Sequence, residues 1–153
     1  MAGLFSTDMT KTWQDPKTID RFLDHTKTWA IVGLSNDTGR TAHSIAQLLQ
    51  AKGKRIVPIH PGAAAEGAEV LGEKAYATLA EAAAEIGTID VVDVFRRSDA
   101  AGAFADQAVA IGAGSVWFPL GVVDEEAFRR TTDAGLPMVM DVCPAIEWGK
   151  RDA

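Results

Sequence analysis

The residues best placed to do chemistry lie in one stretch, WAIVGLSNDTGRT, from Trp29 to Thr41. Gly33 ends an apolar run, and Ser35, Asn36, Asp37, Thr38 and Gly39 are small or turn-forming, so successive backbone N–H groups can face one concavity. Arg40 adds a full positive charge, and the helix opening at Thr41 adds its unpaired first-turn N–H groups and the positive end of its dipole. The chemistry this favours is capture of phosphate rather than bond breaking. The dinucleotide fingerprint G-x-G-x-x-G is not met, because Ser35 and Thr38 stand where its second and third glycines belong. Nor is the P-loop pattern, since Gly39 arrives one residue late and Arg40 replaces the lysine.

Three other short segments carry polar or special residues directly after apolar runs: His60-Pro61, Phe95-Arg96-Arg97 and Leu120-Gly121. Guanidinium forks suit phosphate oxygens, so Arg96 and Arg97 join Arg40 as candidate phosphate ligands. No catalytic constellation accompanies them. His25 ends a short helix, where the dipole favours an imidazolium, and His43 in the first turn after Thr41 reads as an exposed helical histidine or a phosphate donor. Cys143 invites a nucleophile or thiol-exchange role, but it lacks a histidine nearby in sequence and reads as a small buried hydrophobe. Asp141, Cys143 and Glu147 have no zinc-ligand spacing, and Asp124, Glu125 and Glu126 are explained by a helix dipole.

The elements that must position these residues alternate between strands and helices. Apolar strands are expected over Trp29–Val32, Arg55–His60, Ile89–Phe95, Ser115–Pro119 and Met138–Met140. Helices are expected after Asp15-Pro16, from Thr41 to Lys52, after Thr78, after Ser98, over Ala127–Ala134 and over Pro144–Trp148. Residues 62 to 74 read as an exposed connection, and Asp90 and Asp93 indicate a strand entering the sheet from a wetter end. Residues 1–14 read as a weakly ordered arm, with Leu4, Phe5 and Trp13 able to dock, and residues 15–153 form one domain. Such alternation gives an α/β fold, a doubly wound, mostly parallel five-stranded sheet in a Rossmann-like three-layer sandwich. Ligands of such sheets lie beyond the carboxyl ends of the strands, which is where the four segments above converge.

At 153 residues and 47% hydrophobic content the chain supports one domain with a sizeable core. Its net charge of −6 excludes a global field for nucleic acid, so an anionic ligand needs local cations. The lone cysteine, the lack of an apolar run long enough for a membrane span and the lack of a cleavable leader predict a cytoplasmic protein without membrane partners. An exposed Trp13 and Leu4 would point to a homodimer.

The segments VGLSNDTGRTAHSIAQLLQAKGKRIVPIHPG, EVLGEKAYATLAEA, IDVVDVFRR, VWFPLGVVDEEAF and VMDVCPAIEW together resemble the bacterial and archaeal CoA-binding domain proteins. These are small stand-alone Rossmann-like proteins, similar to the CoA-binding domain of the succinyl-CoA synthetase alpha subunit. The resemblance spans about Asp20 to Trp148 and implies coenzyme A, or an acyl-CoA, held across the carboxyl ends of the strands. It implies phosphate contacts from Gly33, Ser35, Asn36, Gly39, Arg40 and Thr41, and an adenosine beside His60 and Pro61. Phe95 and Arg96 would flank the nucleotide, Arg97 would reach phosphate, and Leu120 and Gly121 would line the pantetheine path. Where many relatives read W-x-Q-L-G and D-R-C-P, this chain has Pro119 and Val142 in place of the glutamine and arginine. The implied function is non-catalytic CoA binding, with an acyl-CoA enzyme as partner. An NAD(P)-binding oxidoreductase or acyl-CoA-linked transferase on the same fold is the alternative.

Overall fold

Asp15 accepts a hydrogen bond from the Thr18 N–H at 2.9 Å and Pro16 takes the first helical position, so α1 (Pro16–His25) starts where the Asp-Pro pair predicts. The computed structural model describes residues 13–152 of the chain. From α1 the chain runs through β1 (Thr28–Val32), α2 (Thr41–Ala51), β2 (Arg55–Ile59) and a short α3 (Pro61–Ala65). A hairpin of β3 (Glu69–Val70) and β4 (Glu73–Lys74) leads to α4 (Leu79–Ile86), β5 (Val91–Val94) and α5 (Ser98–Ala110). The chain closes with β6 (Val116–Trp117), α6 (Glu125–Asp133), β7 (Met138–Val139) and α7 (Pro144–Asp152).

The main sheet has five parallel strands in the order β2-β1-β5-β6-β7. Every residue of β1 and β5 is buried, as expected for strands covered on both faces. One layer of core, with Val92, Val94, Ala101 and Phe118, lies on the side of α4, α5 and α6; the other, with Trp29, Ile31, Leu49 and Trp117, lies under α1, α2 and α7. Phe22 of α1 meets Trp117 edge-on with centroids 5.2 Å apart, so the first helix is locked onto the second layer by aromatic packing. This is the doubly wound, Rossmann-like architecture that the alternation of elements predicts. No helix among the described residues is long and apolar enough to cross a membrane.

Pro58 sits within β2 because β2 is an edge strand. Arg55 N donates to Lys27 O and Gly33 N to Ile59 O, so odd positions face β1 and the missing Pro58 donor faces outward, where its carbonyl accepts from Tyr76 N. Several expectations need correction. Residues 62 to 74 are not a featureless connection: His60 caps α3, and Leu71-Gly72, with φ of 53° and 82°, form the tight turn of the β3–β4 hairpin over a buried Val70. Ser98 does not cap α5; its hydroxyl accepts from Val123 N at 3.0 Å and donates to Gly121 O at 3.4 Å, tying two loops together. Trp13 is buried rather than exposed, packing edge-on against Phe128, and its carbonyl accepts from Met140 N; Leu4 and Phe5 lie outside the described residues. His43 is buried rather than exposed. Asp90 meets the wet-end expectation, accepting from the N–H groups of Lys27 and Thr28, whereas Asp93 is wholly buried at the middle of the sheet.

Candidate functional site

The strand order reverses between β1 and β5, because the chain leaves β1 toward β2 on one side and later builds β5, β6 and β7 on the other. Helices therefore leave opposite faces of the sheet there, and a crevice opens beyond the strand ends. Gly33 stands at the lip, with φ of 95°. A Cβ on it would meet the Phe95 carbonyl oxygen at 2.7 Å, so only glycine lets the ends of β1 and β5 approach this closely.

From Gly33 the loop folds on its own side chains. Ser35 Oγ accepts from Asp37 N at 3.2 Å, Asp37 Oδ1 accepts from Gly39 N at 3.0 Å, and Asp37 O accepts from Arg40 N at 3.1 Å. Arg40 occupies the N-cap position of α2 but supplies no side-chain cap, so first-turn N–H groups of this eleven-residue helix remain available to an anion. Its guanidinium lies 3.5 Å from Asp37, an exposed pair of the kind that contributes little and that a phosphate can displace. Arg97 makes a similar exposed pair with Asp99 at 2.9 Å. Arg96 sits with its guanidinium carbon 5.5 Å from the centre of the Phe104 ring, held by cation–π attraction at the mouth of the crevice.

Two cavities fill the crevice and share Gly33, Arg40, Phe95 and Arg96. The first, of about 450 Å³, also takes in Ser35, Asp37, His60, Pro61 and Phe104. The second, of about 640 Å³, adds Gly39, Thr41, Arg97 and Leu120, with Ile45, Val122 and Pro144 as apolar wall. The site residues named from the sequence thus gather at one rim, with two exceptions. Asn36 does not line either cavity; its Nδ2 donates to Glu69 O at 2.9 Å and ties the loop to β3. Gly121 stands outside as well, its N–H donated to Asp141 Oδ1 at 2.7 Å. His60 lines the first cavity while its Nδ1 accepts from Ala63 N at 3.0 Å, which leaves Nε2 as the ring nitrogen without a partner among the described residues.

Sequence reasoning missed Phe104 of α5 and the apolar wall of Ile45, Val122 and Pro144. Cys143 is half-buried on the cleft rather than sealed in the core. Pro119 also lines the second cavity, apolar where a glutamine would have offered an amide.

Asp141 shapes the far end. Its φ of 59° is left-handed, its carboxylate pins the Gly121 N–H, and its carbonyl accepts from Gln14 Nε2 at 3.0 Å. Asp141→Ala removes the pin and keeps the left-handed strain, so a urea titration should show a loss of about 2 kcal/mol. Unchanged stability would mean that the Leu120-Gly121 loop holds itself.

Similarity to known proteins extends over most of the chain. The model of a family described as CoA binding domain matches residues 27–149. An uncharacterized protein of Bacillus subtilis strain 168, YneT, is 35% identical over 125 residues, covering 82% of this chain and 87% of its own length. A hypothetical protein from Pyrococcus horikoshii OT3 superposes with a TM-score of 0.79 at 28% identity, over 90% of this chain and 92% of that one. A Thermus thermophilus structure superposes with a TM-score of 0.78 at 30% identity, over 88% of this chain and 96% of that one.

Proposed function

Because this chain belongs to the CoA binding domain family, we propose that it is a single-domain, non-catalytic binder of coenzyme A or an acyl-CoA. The observation that carries the reading is the meeting of Arg40, Arg96 and the uncapped start of α2 on one crevice at the β1/β5 reversal. In a chain of net charge −6 such a gathering of donors selects a polyphosphate. Arg40 and Arg96 line both cavities, which supports a reading with the phosphates at their junction. The adenosine then occupies the cavity of His60, Pro61 and Phe104, and the pantetheine arm runs along Ile45, Pro119, Leu120 and Val122. Arg97 and the N–H groups around Gly39 and Thr41 complete the phosphate cradle. Binding without chemistry is supported by Cys143 and His60 lining different cavities, so that the imidazole of His60 is not set beside the thiol. The lone thiol supports a cytoplasmic location, where an acyl-CoA enzyme is the natural partner.

Arg40→Ala tests this directly. Its guanidinium is exposed and serves the fold only through the weak pair with Asp37, so its loss should weaken CoA about tenfold to a hundredfold in titration calorimetry and leave the melting temperature unchanged. Equal affinities would make Arg40 a bystander. A thermal-shift comparison of CoA, NAD and NADP on the dialysed protein separates the classes, since a ligand of the native state raises the midpoint. A rise with NAD or NADP alone would replace the CoA reading by an oxidoreductase one.

A further inference from the structure

A third cavity, of about 320 Å³, opens beyond the second. It shares Leu120 and Cys143 with the second cavity and nothing with the first, so the three stand in a row in the order set by their common walls. Pro16 and Ile19 of α1, Val142, and Ile146 of α7 supply its apolar lining. Leu120 at 61% and Ile146 at 49% exposure are the exposed large hydrophobic side chains among the described residues, and both stand on this cavity. Two such side chains flanking one concavity make a patch rather than scattered surface apolarity.

The helix that carries Ile146 is firmly placed. Trp148 of α7 is buried, and Arg151 binds Asp24 at 2.6 Å and Asp20 at 2.7 Å, clamping α7 onto α1. The cavity between them therefore keeps its shape without a ligand.

We propose that this third cavity is the acyl subsite of the same ligand, taking an apolar acyl chain that continues from the pantetheine arm past Leu120 and Cys143. The inference rests on the CoA reading above. It follows from the order of cavities: cations at the first junction fix the phosphates, the apolar second cavity takes the arm, and the thioester end emerges at the second junction. Charge at the rim defines the acyl group further. Asp141 and Glu147 supply two carboxylates against one ammonium, Lys150, which is itself paired with Glu147 at 3.2 Å. An acyl chain ending in a carboxylate is disfavoured there, while an alkyl chain covers Leu120 and Ile146.

Titration calorimetry of the full chain with CoA, hexanoyl-CoA and succinyl-CoA is the test. Each buried methylene tightens binding about threefold to fourfold, so hexanoyl-CoA should bind about tenfold or more tighter than CoA, and succinyl-CoA no tighter. In Ile146→Lys, a change at an exposed helix position, the hexanoyl preference should disappear while CoA affinity stays at the wild-type value. Ile146→Ala should lose part of it, and unliganded melting curves show that both variants fold. Equal affinities for CoA and hexanoyl-CoA in the wild type, or a preference undiminished in Ile146→Lys, overturn the acyl subsite and leave CoA binding standing. If none of the three ligands binds, the CoA reading falls and takes this inference with it.

Discussion

Gly33→Ala should destabilise the protein by roughly 3–4 kcal/mol and weaken its hold on CoA at the same time. Two costs add at this position. The φ of 95° is strained for any residue with a Cβ, and the new methyl would sit 2.7 Å from the Phe95 carbonyl oxygen. That oxygen belongs to backbone held in place: Phe95 N donates to Val32 O at 2.9 Å and Gly33 N to Ile59 O at 2.9 Å. Relief therefore means shifting the end of β5 relative to β1. Phe95 lines both main cavities, so the same shift moves the floor of the crevice. Gly53→Ala provides the matched control, because Gly53 has a φ of 84° but nothing within 4 Å of the added Cβ; it should lose only about 1 kcal/mol. Urea titrations of the two variants, with CoA titrations beside them, give the comparison. Should Gly33→Ala cost no more than Gly53→Ala, the close approach of β1 and β5 is not what the glycine is there for.

The rim was legible because it depends on order more than on detail. Apolar runs alternating with capped helices require a parallel sheet, and a parallel sheet places the residues after Val32, Ile59, Val94 and Phe118 at one edge. Caps were readable where a side chain had one local partner, Asp15 with Thr18 and Thr78 with Glu81, whereas Asp124, expected inside the first turn with Glu125 and Glu126, is the N-cap of α6 and accepts from Ala127 N. Reading failed where a side chain found a distant partner. Asn36 and Ser98 look like loop and cap residues, yet one bonds the β3 carbonyl of Glu69 and the other the 121–123 loop. The five residues of α3 and the two-residue strands β3 and β4 are too short to show a period. Strands β6 and β7 come out as two residues each because their apolar flanks, Phe118 and Met140, are buried by packing rather than by sheet pairing alone. The third cavity joins α1 to α7 across nearly the whole length of the chain, and no local pattern announces that.

The buried carboxyl of Asp93 leads to the opposite kind of result, a substitution that strengthens the fold. Asp93 lies in β5 in register with Ile31 and Trp117, wholly buried, and among the described residues neither of its oxygens has a hydrogen-bond partner. Burial alone pushes its carboxyl well above the ordinary carboxylate range, which favours the neutral acid but does not pair its polar atoms. Asp93→Val removes those atoms and places a strand-favouring side chain among Trp29, Ile31 and Trp117, and should gain about 2 kcal/mol at pH 4 and more at higher pH. The gain must depend on pH. Above the ordinary pKa near 4 the unfolded chain releases the Asp93 proton while the native protein keeps it. The native state then binds more protons than the unfolded one, so this group lowers stability as pH rises, by up to about 1.4 kcal/mol per pH unit until the native carboxyl itself ionises. Asp15, Asp24 and Glu85 are held below the ordinary range by hydrogen bonds from Thr18, Arg151 and Tyr76 and act in the opposite sense. They are common to wild type and variant and cancel in the difference. Urea titrations from pH 4 to 8 should therefore show a gap between Asp93→Val and wild type that is smallest at pH 4 and widens upward. Asp93→Asn separates the two costs: it cannot ionise and removes the pH-dependent part, but its unpaired amide keeps it less stable than the valine variant throughout. A gap that stays constant across this range would mean that Asp93 ionises alike in folded and unfolded chains, and that water reaches the centre of the sheet.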